Sequence, residues 1–156
     1  LPALVNRDYR DLFAEFNAQK VEFLVVGAYA LAVHGHVRAT KDLDVWVRAT
    51  KDNAERVYRA VKAFGAAAEK LSAEDFAQPG TIVQLGIAPT RIDILTRVAG
   101  LEFEAAWANR IEASYGDQKV FVISRGDLIA SKRAAARPQD LVDLSSLEEP
   151  EDNETA

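Results

Sequence analysis

Two aspartates stand one residue apart in the apolar run Asp42-Leu43-Asp44-Val45-Trp46-Val47, and a third stands in Arg91-Ile92-Asp93-Ile94-Leu95. Side chains alternate across a strand, so Asp42 and Asp44 share one face while Leu43 and Val45 point to the other. Carboxylates held that close repel each other unless a cation lies between them or one takes a proton. A hard divalent ion such as Mg2+ answers that need, because it prefers oxygen ligands and few protein carboxylates. A solvated edge strand could carry the same D-x-D, and for that motif alone it is the default account. Asp93 adds weight, since a charge among Ile92, Ile94 and Leu95 is expensive unless it is paired or metal-bound. A salt bridge to a neighbouring arginine is the plain alternative for Asp93.

Upstream, Val25-Val26-Gly27-Ala28 closes an apolar run and opens a helical segment. Amides at a helix start favour phosphate, and glycine allows a ligand close approach; an ordinary strand-to-helix turn has the same composition. Downstream, Lys132 lies among alanines in Ser131-Lys132-Arg133-Ala134, where a solvent-facing lysine is the simplest reading. Arg137 can pair with Asp140, and Asp140 and Asp143 lie three apart on one helix face, suited to positioning basic residues. His34, just before Gly35, suits a helix C-terminus better than a metal site. Ser131 has no histidine nearby in sequence to act as its base.

The elements that must hold these groups follow from periodicity. Asn6 to Gln19, Ala28 to Val33, Asp52 to Phe64 and Glu102 to Asn109 have helical spacing, with Asn6 as a cap and Gly35 and Gly65 as stops. Val21 to Val26 and Leu43 to Val47 are strands. Thr81 to Ile87 with Arg91 to Leu95, and Ile111 to Tyr115 with Lys119 to Ile123, are hairpins, the second turning at Gly116-Asp117. Asp127 to Ala136 and Gln139 to Leu147 are helices, with Pro138 at the start of the second. Ala66 to Pro79 has no clear pattern. This order predicts an α/β (α+β) domain with a C-terminal helical piece.

Composition limits the chemistry. The chain has 156 residues, enough for one domain with a proper core. It has no cysteine, which excludes disulfides, thiolate metal sites and a cysteine nucleophile. No apolar run approaches membrane-spanning length, and no secretion signal is evident, so a cytoplasmic protein without a membrane partner is expected. Five of the 24 acids fall between Glu148 and Ala156, so residues 1–147 form a neutral domain and 148–156 an acidic, disordered tail. Between Lys119 and Arg137, five basic residues face only Asp127, which allows a phosphate-binding surface.

Gly27-Ala28, Asp42-Leu43-Asp44 and Ile92-Asp93-Ile94, in this order, resemble the nucleotidyltransferase (DNA polymerase beta-like) superfamily. Gly27 to Asp44 with His34-Gly35, Arg38 and Thr40, together with Asp127 to Lys132 and Arg137 to Leu144, is similar to the small prokaryotic proteins related to AbiEii toxins. The resemblance covers roughly Val21 to Leu147. It implies the nucleotidyltransferase fold, a mixed β-sheet flanked by helices, and transfer of a nucleoside monophosphate from a nucleoside triphosphate such as ATP to an acceptor hydroxyl. It also implies Asp42, Asp44 and Asp93 as ligands of Mg2+ or Mn2+ and, with Lys132, as catalytic residues. Gly27, Ala28, Arg38, Thr40, Lys132 and Arg137 would bind the nucleotide. The implied acceptor is a tRNA end or a protein hydroxyl, with a cognate antitoxin as a further partner. A small molecule such as an antibiotic is the alternative acceptor, and a weakly active or inactive binding module the alternative role. At Ala28, where the family usually carries Gly or Ser, this chain offers phosphate no hydroxyl.

Overall fold

Asn6 accepts a hydrogen bond from the Tyr9 amide at 3.1 Å and so starts α1 (Arg7–Ala18), which buries Tyr9, Leu12, Phe13 and Phe16 along one side. The structure is a computed structural model that describes residues 5–37, 42–66, 69–87 and 89–148, so Arg38 and Thr40 lie outside the described residues. After α1 come β1 (Phe23–Val26), α2 (Gly27–Val33), β2 (Asp42–Val47) and α3 (Lys51–Phe64), the last closed by Gly65 in the left-handed conformation. Then follow a 3-10 turn (Ala73–Ala77), β3 (Ile82–Leu85), β4 (Arg91–Leu95), α4 (Phe103–Ala108), β5 (Ile111–Tyr115), β6 (Gln118–Val122), α5 (Arg125–Ala135) and α6 (Pro138–Glu148).

The six strands form one mixed sheet in the order β3-β4-β2-β1-β6-β5. β2 and β4 are parallel, as are β1 and β6, and the remaining neighbours are antiparallel. The register puts Phe23, Val25, Leu43, Val45, Val47, Ile92 and Ile94 on one face, all buried. α1 and α3 cover that face, with Phe13 and Phe16 packed on the Phe23 ring at 5.7 and 5.2 Å between centroids. The opposite face carries Asp42, Asp44 and Asp93, with Trp46 buried beside them under Phe103 of α4. Among the described residues no helix is long and apolar enough to cross a membrane.

The stretch without a clear pattern, Ala66 to Pro79, contains the 3-10 turn, capped by Ser72 and Asp75 and anchored by fully buried Phe76. A single aromatic anchor leaves no periodicity to detect. Glu148, assigned above to the tail, is instead the last residue of α6 and is paired with Arg133; residues 149–156 lie outside the described residues. At Gly116-Asp117, the Asp117 carboxylate accepts two 2.8 Å hydrogen bonds from Arg10, which ties the hairpin to α1.

Asn53, at the start of α3, is a polar residue inside the core. It accepts from the Glu22 amide at 2.8 Å and donates to the Glu22 and Arg48 carbonyls at 3.1 and 2.9 Å, pinning the helix to the ends of β1 and β2. Asn53→Ala removes all three bonds and is expected to lower unfolding stability by about 2 kcal/mol or more. The urea midpoint would fall accordingly; an unchanged midpoint would mean the bonds are replaced by water.

Candidate active site

The parallel pairing of β2 with β4 sets Asp42 beside Arg91 and Asp44 beside Asp93. Paired residues on neighbouring strands share a face, so the three carboxylates converge, with one oxygen from each within 4.8 Å of the others. On the other side of β2, Val26 lies opposite Asp44, which brings the next residue, Gly27, against that carboxylate. Gly27 has φ +71°, and a Cβ there would sit 2.3 Å from Asp44 Oδ2. The sequence suggests that glycine admits a ligand; the group in closest approach is Asp44 itself. Ala28 is buried in the first turn of α2.

Arg91 is the member of this cluster that the sequence presents only as a salt-bridge alternative. Its Nη2 donates to Asp42 Oδ2 at 2.6 Å and reaches Asp93 Oδ2 at 3.4 Å. Its Nε lies 3.2 Å from Asp93 Oδ1 but off the line of a hydrogen bond. Asp93 is only 8% exposed, and neither its Oδ1 nor Arg91 Nε has a hydrogen-bond partner among the described residues. The Trp46 indole N–H is similarly unpartnered. Burial pushes the Asp44 carboxyl up to about 7, aided by the charges of Asp42 and Asp93 and only partly opposed by Arg91. Burial also raises Asp93, against the pull of Arg91. A buried oxygen without a donor, in a set of three carboxylates, suits a hard divalent cation.

The facing wall comes from α5 and α6. Lys132 is buried, not solvent-facing, with Nζ 3.3 Å from Asp140 Oδ1 and 3.0 Å from Asp143 Oδ2. Arg137 donates to Asp140 through its backbone amide at 3.0 Å and its Nε at 2.6 Å. Burial raises the Asp140 carboxyl, but the hydrogen bonds from Arg137 outweigh it and hold the group below its usual range. Gly27, Asp44, Asp93, Lys132 and Arg137 thus border one cleft of about 420 Å³. Its remaining lining includes Ile82, Leu95, Val98, Leu128 and Arg97. The sequence did not single out this apolar wall or Arg97, because its members come from β3, β4, the loop after β4 and α5. His34 caps α2 as expected, and its Nε2 lies 2.9 Å from the Ile123 carbonyl oxygen.

Residues 7–148 match the family described as nucleotidyltransferase of unknown function (DUF6036). No curated protein matches. Among solved structures, a candidate nucleotidyltransferase from Thermotoga maritima superposes with a TM-score of 0.62 at 14% identity, covering 92% of this chain and 94% of that one. The lincosamide antibiotic adenylyltransferase LnuA, with lincomycin bound, gives a TM-score of 0.58 at 15% identity, covering 94% and 98%. An antigenic nucleotidyltransferase-like protein from Paracoccidioides brasiliensis gives 0.51 at 14%, covering 93% and 78%. At these identities the likeness establishes the fold.

Two outcomes follow from this geometry. Asp44 and Asp93 bind protons more tightly folded than unfolded, so the metal-free protein is most stable below pH 4 with respect to these groups and loses stability as pH rises, the Asp44 part towards about 7. Thermal melts in chelator should show a decline between pH 4 and 7 that flattens in Asp44→Asn; an undiminished slope in the variant would place its origin elsewhere. Gly27→Ala must strain a left-handed backbone by about 1–2 kcal/mol and displace the Asp44 carboxylate as well. Its melting temperature should drop by several degrees, and a wild-type melt would show that the turn can relax.

Proposed function

This chain belongs to the family of nucleotidyltransferases of unknown function DUF6036, and we propose that it transfers a nucleoside monophosphate from a nucleoside triphosphate to an acceptor hydroxyl. The observation that carries the reading is the convergence of Asp42, Asp44 and Asp93 beside Gly27, with one buried Asp93 oxygen that accepts no hydrogen bond among the described residues. A divalent cation such as Mg2+ or Mn2+, held by these three carboxylates, would supply the charge that stabilises attacking and leaving oxygens at the α-phosphorus. The Asp93 carboxylate accepts the proton of the acceptor hydroxyl. The hydroxyl oxygen forms a bond to the α-phosphorus, and the bond from that phosphorus to the bridging α–β oxygen breaks, releasing pyrophosphate. Lys132 and Arg137, which border the same cleft, offset phosphate charge, and the turn at Gly27 and Ala28 offers backbone amides. Arg38 and Thr40 keep the nucleotide-binding role implied by the resemblance. The single domain proposed over 1–147 is extended by one residue to take in Glu148 at the end of α6, and its proposed triphosphate substrate agrees with a cytoplasmic location.

For the acceptor, the cleft favours a small molecule that carries a hydroxyl on an apolar body. Ile82, Leu95, Val98 and Leu128 give it an apolar wall. The basic segment that could have held RNA is largely neutralised: Lys119 pairs with Glu112, Lys132 with Asp140 and Asp143, Arg133 with Glu148, and Arg137 with Asp140. A small-molecule acceptor also agrees with the lincosamide adenylyltransferase sharing this fold over nearly its whole length. The second reading, a toxin of the AbiEii-related group acting on a tRNA end or a protein hydroxyl and restrained by an antitoxin, draws support from Arg97 and Arg125, which have no ion pair among the described residues. Buried Ala28, without a hydroxyl, is what favours a module that binds nucleotide without turnover.

Labelled nucleoside triphosphates, incubated with Mg2+ or Mn2+ and with total RNA, protein extract or hydroxyl-bearing compounds including lincosamides, separate these readings. Label is expected in the small-molecule fraction, and Asp44→Ala or Asp93→Asn should reduce it by at least about a hundredfold. Label in RNA that fades steeply with salt would transfer the acceptor to the toxin reading. Nucleotide binding without transfer to any acceptor would leave the binding module, and neither binding nor transfer would defeat the proposal.

A further inference from the structure

Arg91 pairs with two of the three carboxylates that would hold a divalent cation. Its guanidinium meets Asp42 at 2.6 Å and Asp93 at 3.2 Å, from the same strand as Asp93 and the register position beside Asp42. Its carbonyl accepts from the hydroxyl of buried Tyr9 at 3.3 Å, so the backbone at this point is tied to α1. The side chain, by contrast, is 36% exposed and can leave without unpacking the core. A planar guanidinium can serve two carboxylates at once, but it leaves Asp93 Oδ1 without a hydrogen bond in line. The pairing offsets part of the site's negative charge and leaves it incompletely satisfied.

Resting on the nucleotidyltransferase reading, we propose that Arg91 is a built-in counter-cation whose displacement makes the site selective for a divalent cation arriving with a nucleoside triphosphate over the cation alone. A free divalent ion must take Asp42 and Asp93 from Arg91, and the released guanidinium then has no anion in exchange. A triphosphate brings negative charge of its own, so the guanidinium gains a partner as it gives up the carboxylates. Ion and triphosphate therefore bind with positive coupling, and that coupling runs through Arg91. Lys132 and Arg137 cannot supply it in the same way, because their partners Asp140 and Asp143 lie outside the three-carboxylate set.

The test is equilibrium Mn2+ binding to the full chain, read from the free-ion paramagnetic resonance signal, with and without a non-hydrolysable triphosphate analogue. Arg91→Gln should bind Mn2+ alone more tightly than wild type, within the roughly five- to 150-fold range usual for coupled sites. The analogue should tighten Mn2+ binding in wild type and do so less in the variant. Arg91→Lys, which keeps the charge but not the fork, should lie between the two and serves if Arg91→Gln fails to fold by circular dichroism. Equal Mn2+ affinity in wild type and the Arg91 variants, with binding lost in Asp44→Asn, overturns the role of Arg91 and spares the metal site. Binding unchanged in Asp44→Asn as well would overturn both, since the ion would then be held elsewhere.

Discussion

Three carboxylates on adjoining strands cannot approach within 4.8 Å without something to offset their repulsion, and the site is arranged around that constraint. The opposite face of the same strands enforces the approach. Leu43, Val45, Ile92 and Ile94 are fully or almost fully buried, and each contributes about 1.5–3 kcal/mol from burial. A slip of one residue in β2 or β4 would send the acids into the core and these side chains into the cleft, so the core holds the register that brings the charges together. The offset is then local: a guanidinium shared by Asp42 and Asp93, and burial that favours a proton on Asp44.

A second charged layer is built differently. Lys132, Arg137, Asp140 and Asp143 bring two positive and two negative groups together, and the two acids are almost wholly buried. Asp140 also closes the start of α6 by accepting from the Arg137 amide, a back-bond of the kind that caps helices, with Pro138 at the first helical position. Ala136 between the helices adopts a left-handed conformation, φ 50°, which a residue with a Cβ holds only under constraint. The ion pairs across this turn provide that constraint. The same contacts that set the angle between α5 and α6 therefore set where the two cations sit in the cleft.

Much of this was legible in the residues themselves. Alternation predicted that Asp42 and Asp44 share a face, and apolar neighbours marked Asp93 as a charge needing a partner; both follow from local pattern alone. The helix limits near Asn6, Gly65 and Pro138 were equally local, because caps and stops are carried by single residues. What escaped was non-local. Nothing in Arg91-Ile92-Asp93 tells that β4 lies parallel to β2 with Arg91 beside Asp42, so the arginine could be named only as a generic alternative. Lys132 among alanines looks exposed until α6 folds back with Asp140 and Asp143. The apparent basic surface from Lys119 to Arg137 was a count along the chain, and it shrinks mainly to Arg125 once Glu112, Asp140, Asp143 and Glu148 are set against it in space.

The position of β2 explains why one strand can serve both halves of the site. It pairs antiparallel with β1, which brings the turn at Gly27 to the Asp44 end, and parallel with β4, which brings Asp93 to the same level. The cleft thus brings Gly27, Asp44, Asp93 and the α5–α6 cations into one bounded space. Lys132 and Arg137 each already hold a carboxylate there, and Arg91 pairs with Asp93, which lines the cleft, and with Asp42. On the proposed reading, binding would be an exchange of counter-ions, in which phosphate oxygens compete for cations and a metal competes for carboxylates. On that reading the site would disfavour either ion alone and favour the two together, because only together do they leave the displaced charges with new partners.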